Sequence, residues 1–208
     1  MPFRRGSRLD PILLTIARAF AARVKVNFDT PVRAQPEDQL KAPVVELIEG
    51  SGTLFARNVE ARTEAQVQGL GARPDIGVAV DRLLSGFIEL KAPGKGARPE
   101  RFTSADREQW QKFQRLPNLI YTDGSEWSLF RTGTLTQRFN FAGRVVEDGA
   151  TAVTAKDAED GHRLEQLEVG QRLEEVVVPD REEVPFRDHR CLTADRPRKR
   201  GNVNITRG

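Results

Sequence analysis

RPDIGVAVDRLLSGFIELKAPGKG, residues 73–96, is the stretch from which the rest of the chain is best read. Two short runs rich in Val, Ile, Leu and Phe flank a polar break, which predicts two strands joined by a hairpin with its turn at Arg82 to Ser85. Asp75 opens the first strand, and Glu89 and Lys91 lie on the second with one residue between them. Residues i and i+2 of a strand share a face, so Glu89 and Lys91 point together while Ile88 and Leu90 point to the other side. Hairpin pairing then brings Asp75 near Glu89. Two carboxylates beside an amine suit hydrolysis of a phosphodiester. Oxygen ligands hold Mg²⁺ or Mn²⁺, the ion stabilises charge on the phosphate and lowers the pKa of bound water, and the lysine orients or deprotonates that water. The alternative is an exposed cross-strand ion pair. Against it stands the cost of placing a charged Glu-x-Lys among Phe87, Ile88 and Leu90 without a purpose.

Working outward, DPILLTIARAFAAR (10–23) predicts a helix: Asp10 caps, Pro11 takes the first helical position, and Ile12, Leu13, Ile16, Ala19 and Phe20 recur at helical spacing. PEDQLKAPVVELIEG (36–50) predicts a second, with Glu37 and Asp38 in its first turn, an apolar stripe of Leu40, Val44, Leu47 and Ile48, and an awkward Pro43. TLFARNVEART (53–63) predicts a strand ahead of the hairpin. Beyond the Gly/Pro loop, SADREQWQKFQRL (104–116) predicts a helix capped by Ser104 and ended by Pro117. NLIYT, EWSLFRT and TLTQRFNF, with an Asp-Gly turn after the first, predict a closing meander. A helix between the third and fourth strands allows a crossover, so the expected class is α/β (α+β), a mixed central sheet flanked by helices. The aromatic residues Trp110, Phe113, Tyr121, Trp127 and Phe130 are expected in the core.

Charge divides the chain more sharply than its total of +3 suggests. Residues 1–144 carry 22 basic and 16 acidic side chains, 145–185 carry 4 and 12, and 186–208 carry 7 and 2. The expected organisation is a packing helix (1–30), a catalytic domain (31–144), an acidic helical connector (145–185) with a sparse apolar face of Leu164, Leu167, Leu173 and Val176, and a disordered basic tail (186–208). The basic body suits a polyanion, although a surplus of six over 144 residues is modest. No stretch approaches the ~18 apolar residues of a membrane helix and no signal core opens the chain, so a cytoplasmic protein without a membrane partner is expected. A lone Cys191 and the separated His162 and His189 exclude disulfide chemistry and a zinc cluster. Gly94, Lys95 and Gly96 make a basic loop but not a phosphate-binding GxxxxGK[ST] motif.

Pro74-Asp75 with Glu89-Leu90-Lys91, in a helix, three strands, helix, strand order, resembles the PD-(D/E)xK nucleases of restriction-endonuclease-like fold. More narrowly, PEDQLKAPV, TEAQVQGLGARPDIGVAV, GFIELKAPGKG and QWQKFQRLPNLIYTDGSEWSLFR are similar to the N-terminal nuclease region of restriction-modification polypeptides that also carry an adenine-specific DNA methyltransferase. The likeness spans about residues 35–140. It implies a Mg²⁺-dependent DNA endonuclease from a restriction-modification or phage-defence system, with Asp75 and Glu89 as metal ligands and Lys91 acting on the attacking water. A glutamate from the first core helix matches Glu37 as a further ligand, or as a first-turn acid favoured by the helix dipole, with Glu46 in reserve. A glutamine on the helix after the lysine strand matches Gln109; Glu64 reads as structural. Lys95, Arg73 and Arg98 are the candidate DNA contacts. The chain lacks the glycine-rich cofactor loop and the Asn/Asp-Pro-Pro-aromatic motif of the methyltransferase. A methyltransferase or target-recognition polypeptide is therefore the implied partner of DNA cleavage. The chain is either a standalone nuclease subunit, a catalytically incomplete DNA-binding or assembly subunit, or a fragment of a longer reading frame.

Overall fold

Pro11 begins α1 (Pro11–Asp29), where its fixed φ and missing N–H suit the first helical turn. The computed structural model describes residues 11–31, 35–66 and 73–154, so Asp10, the connector beyond 154 and the basic tail lie outside the described residues. Ala17, Phe20, Ala21 and Val24 form the buried stripe of α1 at positions i, i+3, i+4 and i+7. It packs on α2 (Pro36–Ser51), which buries Leu40, Pro43 and Val44. Pro43 has no N–H for the Gln39 carbonyl one turn back. Asn27 of α1 donates its side-chain N–H to that carbonyl at 2.9 Å, so the helix break is repaired from outside. Asn27→Ala is expected to cost about 1–2 kcal/mol in urea unfolding. In the Pro43→Ala background, where the backbone N–H returns, the same substitution is expected to cost much less. Equal costs in both backgrounds would show that the bond does not serve the proline gap.

The expected strand at 53–63 is shorter than its composition suggests. Gly52–Phe55 prolong α2 as a 3₁₀ turn closed by Ala56 at φ +50°, and β1 is only Val59–Thr63. It pairs antiparallel with β2 (Ile76–Val80), which pairs antiparallel with β3 (Leu83–Leu90). The hairpin turn falls at Asp81 and Arg82, not at Arg82 to Ser85, which moves Leu83 to Ser85 into the strand. Asp81 and Arg82 have φ of +50° and +69°, the left-handed pair that a two-residue hairpin loop requires. The Asp81 carboxylate holds this turn by accepting the Asn58 N–H at 3.1 Å and the Arg57 guanidinium at 2.6 Å.

After β3 comes α3 (Ser104–Phe113), and the chain then returns as β4 (Leu119–Thr122), β5 (Glu126–Arg131) and β6 (Thr134–Asn140). Thr103 takes the cap position of α3 without a side-chain bond and Ser104 is its first helical residue, so the expected serine cap is not formed. The six strands lie side by side in chain order. Only β3 and β4 run parallel, with α3 in the crossover, which makes the sheet mixed as expected.

Alternation along β3 sorts the two faces. Ile76, Ile88, Leu90 and Trp127 face the core shared with α1 and α2. Phe87, Leu119, Tyr121 and Phe130 join Phe102, Phe113 and Leu116 in the core of the other face, with Trp110 of α3 packed against it. The five aromatic residues expected inside therefore all belong to these two cores. A short helix, α4 (Val145–Asp148), and the turn Gly149–Ala152 lie on α1, where Val145, Ala152 and Val153 are buried. Among the described residues no helix is long and apolar enough to cross a membrane.

Candidate active site

The β2–β3 register sets Ile76 opposite Ile88, which puts Asp75 opposite Glu89. Asp75 is fixed there because its Oδ2 accepts the Leu90 N–H at 2.9 Å. On the other side of β3, Glu89 pairs with Tyr121 of β4, and the Lys91 N–H extends the ladder to the Thr122 carbonyl at 2.8 Å. Glu89 and Lys91 share the α3 face with Phe87, as the period-two reading requires. Each is only 4% exposed, which removes the surface ion pair as an explanation.

The Lys91 ammonium has three close acceptors: Glu89 Oε1 at 3.2 Å, Gln109 Oε1 at 2.6 Å and Asp106 Oδ1 at 3.1 Å. Its three hydrogens match these three oxygens. The rings of Phe102 and Tyr121 lie 5.8 and 5.7 Å from the nitrogen, within cation–π range. Gln109 is thus brought to the site by α3. Glu37 reaches the same end of β3 from the first turn of α2, its Oε1 accepting the Ala92 N–H at 3.1 Å. Glu46 is exposed on α2. Of the basic candidates, Arg73 is exposed, Lys95 pairs with Asp106 at 2.5 Å, and Arg98 pairs with Glu126.

Burial dominates the electrostatics. It pushes the Glu89 carboxyl up to about 7, helped by the neighbouring Asp75 charge and opposed by Lys91 and Gln109. Asp75 is also raised by burial, against the Leu90 N–H, Lys41 and Lys91. Burial acts on Asp106 in the same direction, but its bonds to Lys95 and Lys91 together outweigh it and hold the carboxyl below its ordinary value. Two carboxyls that resist ionisation in each other's company are what a cation between them relieves.

Four residues of this arrangement carry no signal in the local sequence. Lys41 Nζ lies 2.8 Å from Asp38, 2.6 Å from Glu64 and 3.7 Å from Asp75 Oδ1, and bonds to the first two raise its pKa. Glu64, expected to be structural, pairs with this lysine. Asp106 links Lys91 to Lys95. Asp123, which reads as part of a plain Asp-Gly turn, accepts the N–H groups of Gly94 and Gly96 at 3.1 and 2.9 Å and those of Ser125 and Glu126 at 3.0 and 2.7 Å. Glu126 Oε2 accepts the Ala97 N–H at 2.8 Å. Gly96 sits at φ +79°, and an added Cβ would meet that same oxygen at 2.9 Å, so the loop after Lys91 needs glycine there.

The donor set is compatible with Mg²⁺ or Mn²⁺. Glu89 Oε2 is buried without a hydrogen-bond partner among the described residues, so it is an acceptor that a cation could engage. Magnesium commonly binds through one or two carboxylates and completes its shell with water and substrate phosphate. Among the described residues no group of three or more His, Cys, Asp or Glu side chains is placed to hold a metal ion, so Glu37 does not close a cage with Asp75 and Glu89.

No family model matches this chain, and no curated protein matches it. Among solved structures it is similar to a chain of the DrdV-DNA complex determined by cryoEM, with 21% identity and a TM-score of 0.46. That match covers 67% of this chain and 13% of the other.

Proposed function

We propose that this chain is a divalent-metal-dependent DNA endonuclease domain of a restriction-modification or phage-defence system. The observation that carries the reading is the buried, unpartnered Glu89 Oε2, on a carboxyl set opposite Asp75 and beside a fully engaged Lys91. Asp75 and Glu89 would hold Mg²⁺ or Mn²⁺, which when bound supplies charge stabilisation at the phosphate and a more acidic water. Lys91, its position set by Gln109 and Asp106, places a fixed positive charge beside the attacking water and the phosphate. Gln109 and Asp106 hold that ammonium in place, so little reorganisation is needed when charge develops.

The absence of a third converging carboxylate among the described residues favours a second reading, a DNA-binding or assembly subunit that cuts only with a methyltransferase or target-recognition partner. Mn²⁺ titration followed by electron paramagnetic resonance, run beside nicking of supercoiled plasmid, separates the two. The endonuclease reading expects Mn²⁺ binding and cleavage, both lost in Asp75→Ala. Binding without cleavage supports the second reading. A protein that binds neither the ion nor duplex DNA, and does not change on Asp75→Ala, sinks both.

A further inference from the structure

The loop that follows Lys91 borders a concavity of about 330 Å³ whose lining includes Lys95, Arg98, Arg101 and Arg144 together with Asp123 and Glu126. The two acids in this lining are not available to a ligand. Asp123 spends both oxygens on four backbone N–H groups, and Glu126 is shared among the Ala97 N–H, Arg98 and Arg138. The cations are placed differently. Arg101 is exposed, with no side-chain partner among the described residues. Arg144 is 71% exposed and its one ion pair among the described residues is with Glu147, an exposed i,i+3 pair of the kind worth little. Lys95 is 43% exposed, and one carboxylate, Asp106, separates its ammonium from that of Lys91. The groove therefore gathers positive charge from three places: Lys95 and Arg98 on the glycine-bearing loop after Lys91, Arg101 in the turn that follows it, and Arg144 just ahead of α4.

We propose that this groove holds the phosphodiester backbone of duplex DNA beside the scissile phosphate, with Arg101 and Arg144 as phosphate contacts. The proposal rests on the endonuclease reading and extends it to two arginines that local sequence did not single out. Phosphate contacts contribute affinity through counterion release, so each one lost lowers the dependence of binding on salt, by ~0.9 in the log–log slope for duplex DNA. The peptide amides of the loop are already taken by Asp123 and Glu126, which leaves recognition to the arginine forks, well matched to phosphate oxygens.

Fluorescence anisotropy of a labelled duplex, in EDTA to prevent cleavage and over a series of salt concentrations, tests this. Arg101→Gln/Arg144→Gln is expected to weaken binding roughly tenfold near physiological salt and to reduce the slope by about two, with an unchanged melting temperature. Arg57→Gln/Arg62→Gln removes the same charge at the β1 edge, where both arginines face exposed acids, and is expected to leave the slope unchanged. An unchanged slope in the groove variant, or an equal drop in the edge variant, overturns the groove. A wild-type protein that binds no duplex and cuts none overturns the endonuclease reading along with it, whereas metal-dependent cutting with an unaltered slope removes the groove alone.

Discussion

Glu89→Gln is expected to give a protein that is more stable than wild type and inactive. The folded carboxyl titrates at about 7 against an ordinary 4.5, because burial and Asp75 disfavour its charge. Between those pH values the folded state keeps a proton that the unfolded chain has released. Stability due to the neutral carboxyl is full below about pH 4.5 and is lost as pH rises through about 7. At about 1.4 kcal/mol per pH unit, the loss amounts to roughly 3 kcal/mol by pH 8. Glutamine stays neutral and avoids it. The variant should therefore match wild type near pH 4.5 and melt roughly 6–12 °C higher at pH 8. Mn²⁺ should raise the melting temperature of wild type and not of the variant, since the ion stabilises only a site that binds it. Parallel pH–stability curves for the two proteins would mean that Glu89 is ionised without cost.

Lys91→Met is expected to produce the opposite change, a loss of about 3–5 kcal/mol at pH 8, because it leaves the buried Glu89 without its cation. Glu89 and Asp106 both lose a partner, and Gln109 loses its donor. The cost should shrink at pH 5.5, where Glu89 is protonated. Adding Glu89→Gln to Lys91→Met should stabilise by more than Glu89→Gln does in wild type, since the second substitution now removes an unpaired charge. Urea unfolding of the four proteins at both pH values measures this coupling. Strict additivity at pH 8 would mean that the 3.2 Å approach of the two groups carries no energy. Plasmid cleavage is expected to be lost in all three variants.

The elements around this pair differed in how far their own residues announced them. β2, β3 and β4 are short runs of branched and aromatic residues between breakers, and they stand within a residue or two of where that pattern puts them. The run at 53–63 misled because Leu54 and Phe55 look strand-like, whereas the preceding helix continues through them as a 3₁₀ turn. The hairpin turn slipped to Asp81 and Arg82 because its hold comes from Arg57 and Asn58, on a neighbouring strand's approach and over 20 residues away. Likewise Pro43 persists in α2 because another helix supplies the donor.

The same boundary runs through the site. Asp75, Glu89 and Lys91 fall within 17 residues, joined by a hairpin whose period-two alternation requires that they meet, so their juxtaposition was determined by sequence alone. Their chemical state was not. Whether Glu89 is an exposed partner of Lys91 or a buried acid raised to about 7 depends on α3 covering that face, on Asp106 and Gln109 arriving from it, and on Asp123 holding the loop beyond. Those groups come from 15 to 34 residues further along the chain than Glu89 or Lys91, and a contact made by packing across a sheet leaves no period or spacing in the residues that make it. Strand geometry brought the charges together, and only the tertiary structure decided how much water they keep and therefore what they can bind.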